Sequence, residues 1–216
     1  MVIYLHGFAS GITSGKATYL GQRLRAHGVE VETPDLNLPD FSTLTITRML
    51  RQVRELLDTA REPVTLIGSS LGGFVAVNAA ARWPQRIRNL VLMAPALDFG
   101  RARQGHRTDA WSADVIANWK ASGSMQVFHF GYGRIMSIRY DLYEDTQRYD
   151  AFHADVKMPI LVFQGRKDTV IDPAVVEEWW RSRPNVELHM LDDDHQLASS
   201  LPTIWEQLAA FLDLKI

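Results

Sequence analysis

The sequence contains no cysteine and carries almost no net charge. Without cysteine the chain has neither a disulfide framework nor a thiol nucleophile, and a reducing compartment fits. The formal net charge of -2 over 216 residues argues against a nucleic-acid-binding protein, which would show a basic stripe. What remains is a chain of ordinary globular composition, 46% hydrophobic, with a length that suits one domain spanning residues 1–216.

Long apolar segments are missing as well. No uninterrupted apolar run reaches the roughly 20 residues that a membrane-spanning helix needs. Residues 1–5 are apolar, but no basic residue precedes them, and this start does not resemble a secretory signal peptide. We therefore expect a soluble cytoplasmic protein with no membrane partner, although a different start of the chain would alter that expectation.

Short apolar segments alternate with amphipathic ones along most of the chain. The apolar segments predict six strands, and the segments with helical periodicity predict five helices. Strands that are apolar on both faces and separated by helices form parallel sheets covered on both sides. The sequence therefore predicts an α/β fold with a mostly parallel sheet. The predicted strands are 2–5, 29–33, 64–67, 89–93, 159–164 and 186–191, and the helices are 16–27, 44–60, a segment from the end of the third strand to about 83, 173–183 and 202–214.

Residues 97–155 interrupt this alternation with many aromatic side chains and several glycines. The segment is too long for a connecting loop, and we interpret it as a small helical cap inserted over the carboxyl edge of the sheet. The alternative is two ordinary packing helices with aromatic side chains in the core. The composition of residues 97–155 suggests a substrate with an apolar acyl or alcohol group of modest size. The side chains predicted to line the substrate pocket are Trp111, Trp119, Phe128 and Met136.

A serine lies at the tip of a predicted strand–turn–helix unit. The residues Gly68-Ser69-Ser70-Leu71-Gly72 fit the pattern G-x-S-x-G, the nucleophile elbow. The central serine of this turn has strained backbone angles, so the positions two before and two after it must be nearly without side chains. The pattern predicts Ser70 as a nucleophile, while the alternative is a small residue at a turn.

A serine nucleophile needs a base within hydrogen-bond reach and an acid that orients the base. Asp168 and His195 each follow a predicted strand, at the carboxyl edge of the sheet where ligands bind in open parallel sheets. The chain order Ser, Asp, His is that of α/β hydrolases and of neither chymotrypsin nor subtilisin. We predict that Ser70 is the nucleophile, His195 the base and Asp168 the acid.

Each of these residues has a competing interpretation. Asp172 competes as the acid, but it precedes a proline and resembles a helix N-cap, while Asp194 is too close to His195 along the chain to orient it. His195 follows three aspartates, so it is alternatively a surface residue or a metal ligand. No other histidine stands at ligand spacing from it, and we expect neither a metal nor a cofactor.

Two backbone N–H groups are predicted to bind the oxyanion. One belongs to Leu71, the residue after the nucleophile, and the other belongs to the loop after the first strand, where we choose Phe8. We expect His6 to hold this loop rather than to carry a proton.

Two further patterns in the sequence are typical of other chemistries. Residues 10–17 nearly match a phosphate-binding loop but lack its first glycine and its Ser/Thr, which argues against nucleotide hydrolysis. Basic residues in the insertion are a solvated surface or, alternatively, a handle for an anionic group such as a CoA phosphate. They are Arg101, Arg103, His106 and Arg107, with Arg134 and Arg139 as further candidates.

Taken together, the motifs resemble an α/β hydrolase over nearly the whole chain. They are His6-Gly7-Phe8-x-Ser10, Ser14-x-Lys16-Ala17, Gly68-x-Ser70-x-Gly72-Gly73, Gly165-x-x-Asp168 and His195. The opening resembles that of the small YqiA-like bacterial esterases, and residues 97–155 depart from the smallest of these by resembling the caps of lipase-like and thioesterase-like relatives. The resemblance implies hydrolysis of a small-molecule carboxylic ester through an acyl-enzyme. A thioesterase with the same triad is the alternative, followed by a non-catalytic binding protein; the oligomeric state is not indicated.

Overall fold

A computed structural model describes residues 1–101 and 112–215 of the chain. Its strands are β1 (Val2–Leu5), β2 (Val31–Glu32), β3 (Val64–Ser69), β4 (Ile87–Met93), β5 (Ser124–His129), β6 (Arg134–Arg139), β7 (Ile160–Gly165) and β8 (Val186–Leu191). Its helices are α1 (Gly15–Ala26), α2 (Ile46–Thr59), α3 (Leu71–Arg82), α4 (Ala113–Ser122), α5 (Asp141–Thr146), α6 (Pro173–Arg181) and α7 (Leu201–Phe211), with short 3-10 helices at Phe41–Thr43 and Pro84–Arg86. The predicted site residues Trp111, Arg103, His106 and Arg107 lie outside the described residues.

Six strands form one sheet in the order β2-β1-β3-β4-β7-β8, and every neighbouring pair is parallel. The prediction of a mostly parallel sheet with six strands is confirmed. All residues of β3 and β7 are buried, as their continuous apolar sequences require for central strands of a covered sheet. Because all six strands run in the same direction, their carboxyl ends share one edge.

Helices cover both faces of the sheet because the strands alternate between two hydrophobic clusters. In β1, Ile3 and Leu5 pack on the side of α2, α3 and α6, whereas Val2 and Tyr4 pack on the side of α1 and α7. This two-sided packing is what the period-2 geometry of a strand requires when both faces are buried. The arrangement fixes the strands and leaves the loops at their carboxyl ends to carry a site.

The insertion between β4 and β7 contains a β-hairpin in addition to helices. Strands β5 and β6 pair in antiparallel register, with Phe128 opposite Ile135, and α4 and α5 flank them. The prediction of a helical cap is therefore corrected to a mixed one. The physical reason is the alternation of half-buried and exposed side chains along 124–129, which suits a strand with one face on the core and not a helix.

The insertion contacts the body of the protein at the hairpin turn and at the start of α2, among other places. The backbone N–H of Gly131, in the hairpin turn, donates to the carbonyl of Ala9 at 3.4 Å. A Cβ at Gly131 would lie only 2.9 Å from the carbonyl carbon of Ser10, so the turn and the loop after β1 approach too closely for a side chain. On the other side, Thr47 at the start of α2 donates its N–H and its hydroxyl to the carboxylate of Asp145 at 2.7 and 2.6 Å.

Across residues 1–101 and 112–215, no helix has the length and apolarity needed to cross a membrane. In the same ranges, no three or more histidine, aspartate or glutamate side chains group together in a way that would hold a metal ion.

Candidate active site

Ser70 occupies the turn between β3 and α3 with backbone angles that few non-glycine residues adopt, φ 53° and ψ -117°. The turn can be this tight because the residues two before and two after Ser70 are glycines, which have no side chains. A Cβ at Gly72 would lie 2.1 Å from the carbonyl oxygen of Leu5, and a Cβ at Gly68 would lie 2.5 Å from that of Gly72. The two glycines of the G-x-S-x-G pattern therefore allow the elbow to pack against the end of β1.

The loop after β1 runs directly beside the serine. A Cβ at Gly7 would lie 3.3 Å from the Cβ of Ser70, so this loop and the nucleophile elbow are in van der Waals range. Leu71 is the first residue of α3, and its N–H therefore belongs to the helix end, where no intrahelical carbonyl is available. Phe8 is half-buried and packs its ring 5.6 Å from that of Phe41.

His6 holds this loop from below. Its Nε2 accepts a hydrogen bond from the N–H of Leu36 at 3.0 Å, which leaves Nδ1 to donate to the carbonyl of Gly7 at 2.9 Å. Burial lowers the pKa of His6 despite the nearby carboxylate of Asp35. A neutral imidazole that makes two hydrogen bonds fits the structural role that we expect of His6.

Asp168 lies buried in the turn after β7. One carboxylate oxygen, Oδ1, accepts the backbone N–H groups of Val170 and Ile171 at 2.8 and 2.9 Å. The other, Oδ2, accepts the side-chain amide of Gln164 at 3.0 Å and the Nδ1–H of His195 at 2.9 Å. Burial alone would raise the pKa of Asp168, but the hydrogen bond and charge of His195 and the other donors hold it below its ordinary value.

The contact between Asp168 and His195 fixes the imidazole. An ionised carboxylate only accepts hydrogen bonds, so Nδ1 carries the proton and Nε2 is left as the acceptor. The side chain of His195 is 14% exposed, whereas that of Asp168 is fully buried. This is the acid–base arrangement that a serine nucleophile requires.

The two competing aspartates make other contacts. Asp172 caps α6, because its Oδ1 accepts the N–H of Ala174 at 3.0 Å. Asp194 accepts the N–H of Gln196 at 2.8 Å. The structure therefore pairs Asp168, and neither of the alternatives, with the imidazole of His195.

The predicted pocket residues are dispersed. Trp119 is 1% exposed, donates its indole N–H to the carbonyl of Ile138 at 3.0 Å and meets Tyr140 edge to face. A side chain enclosed in this way packs the interior of the insertion, so the prediction that Trp119 lines an open pocket is corrected. Phe128 is 50% exposed on the hairpin, and Met136 is half-buried against the main core.

Three supporting residues had no assigned part in the sequence-based hypothesis. Gln164 bonds the acid, and Gly165 lets the loop before His195 pass over the end of β7, since a Cβ there would lie 2.5 Å from the carbonyl oxygen of Asp193. Lys16 donates from Nζ to the carbonyl of His195 at 3.1 Å. The motifs Gly165-x-x-Asp168 and Ser14-x-Lys16-Ala17 contained the glycine and the lysine without assigning them a part, and no local pattern indicated Gln164.

A parallel α/β sheet with a strained serine at an elbow and an Asp–His pair at the same edge defines the class of the α/β hydrolases. Two solved structures agree with this fold. The mouse α/β hydrolase domain-containing protein 10 superposes with a TM-score of 0.78 at 19% identity, covering 98% of this chain and 89% of that one. Est1E from Butyrivibrio proteoclasticus, with ferulic acid bound, gives 0.80 at 18% identity, covering 98% and 87%.

Within that class, the chain belongs to the uncharacterised protein family UPF0227, whose profile matches residues 1–213. The bovine mitochondrial palmitoyl-protein thioesterase ABHD10 is 25% identical over 181 residues, which are 79% of this chain and 57% of that protein. The pimeloyl-[acyl-carrier protein] methyl ester esterase of Nitrosomonas europaea is 32% identical over 102 residues, 46% of this chain and 39% of the esterase. The matched part of this chain therefore spans little more than half the length of the bovine thioesterase and less than half the length of the esterase.

Proposed function

We propose that the protein is a serine hydrolase that cleaves small-molecule carboxylic esters through an acyl-enzyme. The observation that carries this proposal is the 2.9 Å hydrogen bond between Asp168 and His195 at the sheet edge that also holds the strained Ser70. The esterases and thioesterases among the similar proteins support the same reaction class.

In the proposed mechanism, His195 Nε2 takes the proton of the Ser70 hydroxyl as its oxygen attacks the acyl carbon. The oxyanion that forms accepts hydrogen bonds from the backbone N–H groups of Leu71 and Phe8, and Asp168 stabilises the imidazolium of His195. His195 then gives its proton to the leaving alcohol, which departs and leaves the acyl group on Ser70. Water then gives a proton to His195 as its oxygen attacks the acyl carbon. The bond between the acyl group and Ser70 breaks, His195 returns the proton to the serine oxygen, and the carboxylic acid leaves.

A fluorophosphonate probe tests the proposal directly, because it forms a covalent bond only with an activated serine. We expect labelling of one serine, located at Ser70 by peptide mass spectrometry, and hydrolysis of p-nitrophenyl esters. Ser70→Ala should remove both activities while the thermal melt stays near that of the wild type. Ser69→Ala, which changes the adjacent serine on β3, is the matched control. Absence of labelling in folded wild-type protein would refute the enzyme hypothesis in favour of a binding protein.

Thioester hydrolysis is the second candidate, because it uses the same catalytic residues. It is supported by the similarity to palmitoyl-protein thioesterases and by the exposed Arg101 at the edge of the insertion. Rates on p-nitrophenyl esters and acyl-CoAs of equal and graded chain length separate the two. A higher kcat/KM on the acyl-CoA at every length would make the thioesterase the principal function.

A further inference from the structure

Lys16 is a buried lysine for which the hydrolase mechanism above has no use. Only 9% of the residue is exposed, although lysine is among the residues least often buried in proteins. Its place in the fold is also locally unfavourable, because it is the second residue of α1 and stands at the positive end of the helix dipole. Local rules broken in this way are expected mainly at functional sites.

The surroundings of Lys16 compensate for its burial. Its Nζ donates to the backbone carbonyl of His195 at 3.1 Å, a contact between residues 179 positions apart in the chain. Burial lowers the pKa of Lys16 to about 8, although the carboxylates of Asp168, Asp194 and Asp193 oppose this shift. The ammonium group therefore binds the backbone of the base and interacts electrostatically with the acid and with the two aspartates that precede the base.

Other hydrogen bonds stabilise the two ends of the loop after β8. Asp193 accepts the hydroxyl of Ser199 and the N–H of Ser200 at 2.8 and 2.9 Å, and the carbonyl of Asp194 accepts the N–H of Leu197 at 3.2 Å. The main-chain carbonyl of His195 itself is bonded by Lys16, which comes from the opposite end of the sequence. Lys16 belongs to α1, the helix that follows the loop of Phe8. Its side chain therefore connects this helix to His195, the residue that must deliver a proton.

We propose that Lys16 is a positioning residue, which holds the main-chain carbonyl of His195 so that its imidazole stays aligned with Ser70. The proposal rests on the proposed hydrolase function. Removal of the ammonium group would release this carbonyl and leave the backbone of the base without that contact. A misplacement of about 1 Å in a catalytic group can cost about 100-fold in rate.

The test compares Lys16→Met, Lys16→Arg and the control Lys167→Met by kcat and KM on a p-nitrophenyl ester. Lys167 is the matched control because it is a 64% exposed lysine paired with Asp192, close to the same loop. In Lys16→Met we expect kcat to fall about 10- to 100-fold with KM unchanged. Lys16→Arg should restore most of kcat, and Lys167→Met should match the wild type.

The outcomes separate this proposal from the hydrolase hypothesis. If the wild type neither labels with fluorophosphonate nor hydrolyses esters, the hydrolase hypothesis fails first. If the wild type is active and Lys16→Met has the same kcat, only the part assigned to Lys16 is overturned. Should Lys16→Met not fold, Lys16→Gln replaces it with the same criteria. If neither neutral variant folds, Lys16 is a structural residue and the proposal is rejected.

Discussion

The six-stranded sheet and the β5–β6 hairpin differ in how completely their strands are packed. Strands β3 and β7 are buried on both faces, and each is paired on both edges. The hairpin has one partner per strand and exposes large apolar side chains, with Phe128 50%, Phe130 76% and Ile135 68% accessible. A fully packed edge holds catalytic groups in one geometry, whereas a half-packed hairpin retains apolar surface for contacts outside the protein.

This difference suggests that the sheet and the hairpin have separate functions. The groups proposed for bond cleavage stand on loops anchored at the carboxyl edge of the sheet. The insertion reaches that edge through the hairpin turn, where Gly131 meets Ala9 and Ser10. We therefore expect changes at the sheet edge to affect the rate for all substrates and changes on the hairpin to affect the choice among them.

After the loss expected for Ser70→Ala, the largest effect is expected for the acid at the sheet edge. Asp168→Asn should lower kcat by about 10⁴-fold, because the amide can favour the wrong imidazole tautomer. Asp172→Asn is the control four residues away, since asparagine caps a helix as well as aspartate does, and its activity and melting temperature should stay near wild type. Kinetics on one ester, with a melt of each variant, make the comparison, and the reverse ranking would transfer the role of acid to Asp172.

A smaller effect is expected at the contact between the two regions. In Gly131→Ala the new Cβ would lie 2.9 Å from Ser10, so the hairpin turn or the loop carrying Phe8 must shift. We expect kcat/KM to fall about 10-fold on every ester, because an oxyanion donor is displaced. In the control Gly133→Asn the side chain meets open space, and asparagine tolerates the φ of 64° found there. Equal activity of both variants and the wild type would mean that the loop does not depend on the turn.

The sequence predicted the sheet well because buried parallel strands are continuous apolar runs. Residues 2–5 and 186–191 were predicted with the bounds that the structure has. The edge strand shrank from 29–33 to Val31–Glu32, since it pairs only with β1 and its ends are not held by a second neighbour. A local pattern suffices where burial on both faces dictates composition.

The hairpin and the burial of Lys16 were missed for two different reasons. The alternation in β5 and β6 was present, but the whole aromatic and glycine-containing segment 97–155 was interpreted as a helical cap, whereas glycine between two alternating segments also indicates a hairpin. The burial of Lys16 depends on a carbonyl 179 residues away, and no local pattern contains that information. The same limit applies to Gln164, whose contact with Asp168 follows from the turn that the chain makes after β7.

The smallest effect, and the most selective, is expected on the exposed face of the hairpin. Phe128 and Phe130 lie edge to face with ring centres 5.2 Å apart, and both are at least half exposed. If they contact the acyl chain, Phe128→Ser and Phe130→Ser should raise KM about 3- to 10-fold for long-chain esters and leave short-chain esters unchanged, since the lost apolar contact scales with buried area. Val115→Ser is the control, because Val115 is an exposed apolar residue of the insertion that stands on α4. A chain-length profile that moves equally in all three variants, or in none, would remove the hairpin face from substrate selection and leave the sheet edge responsible for both rate and choice.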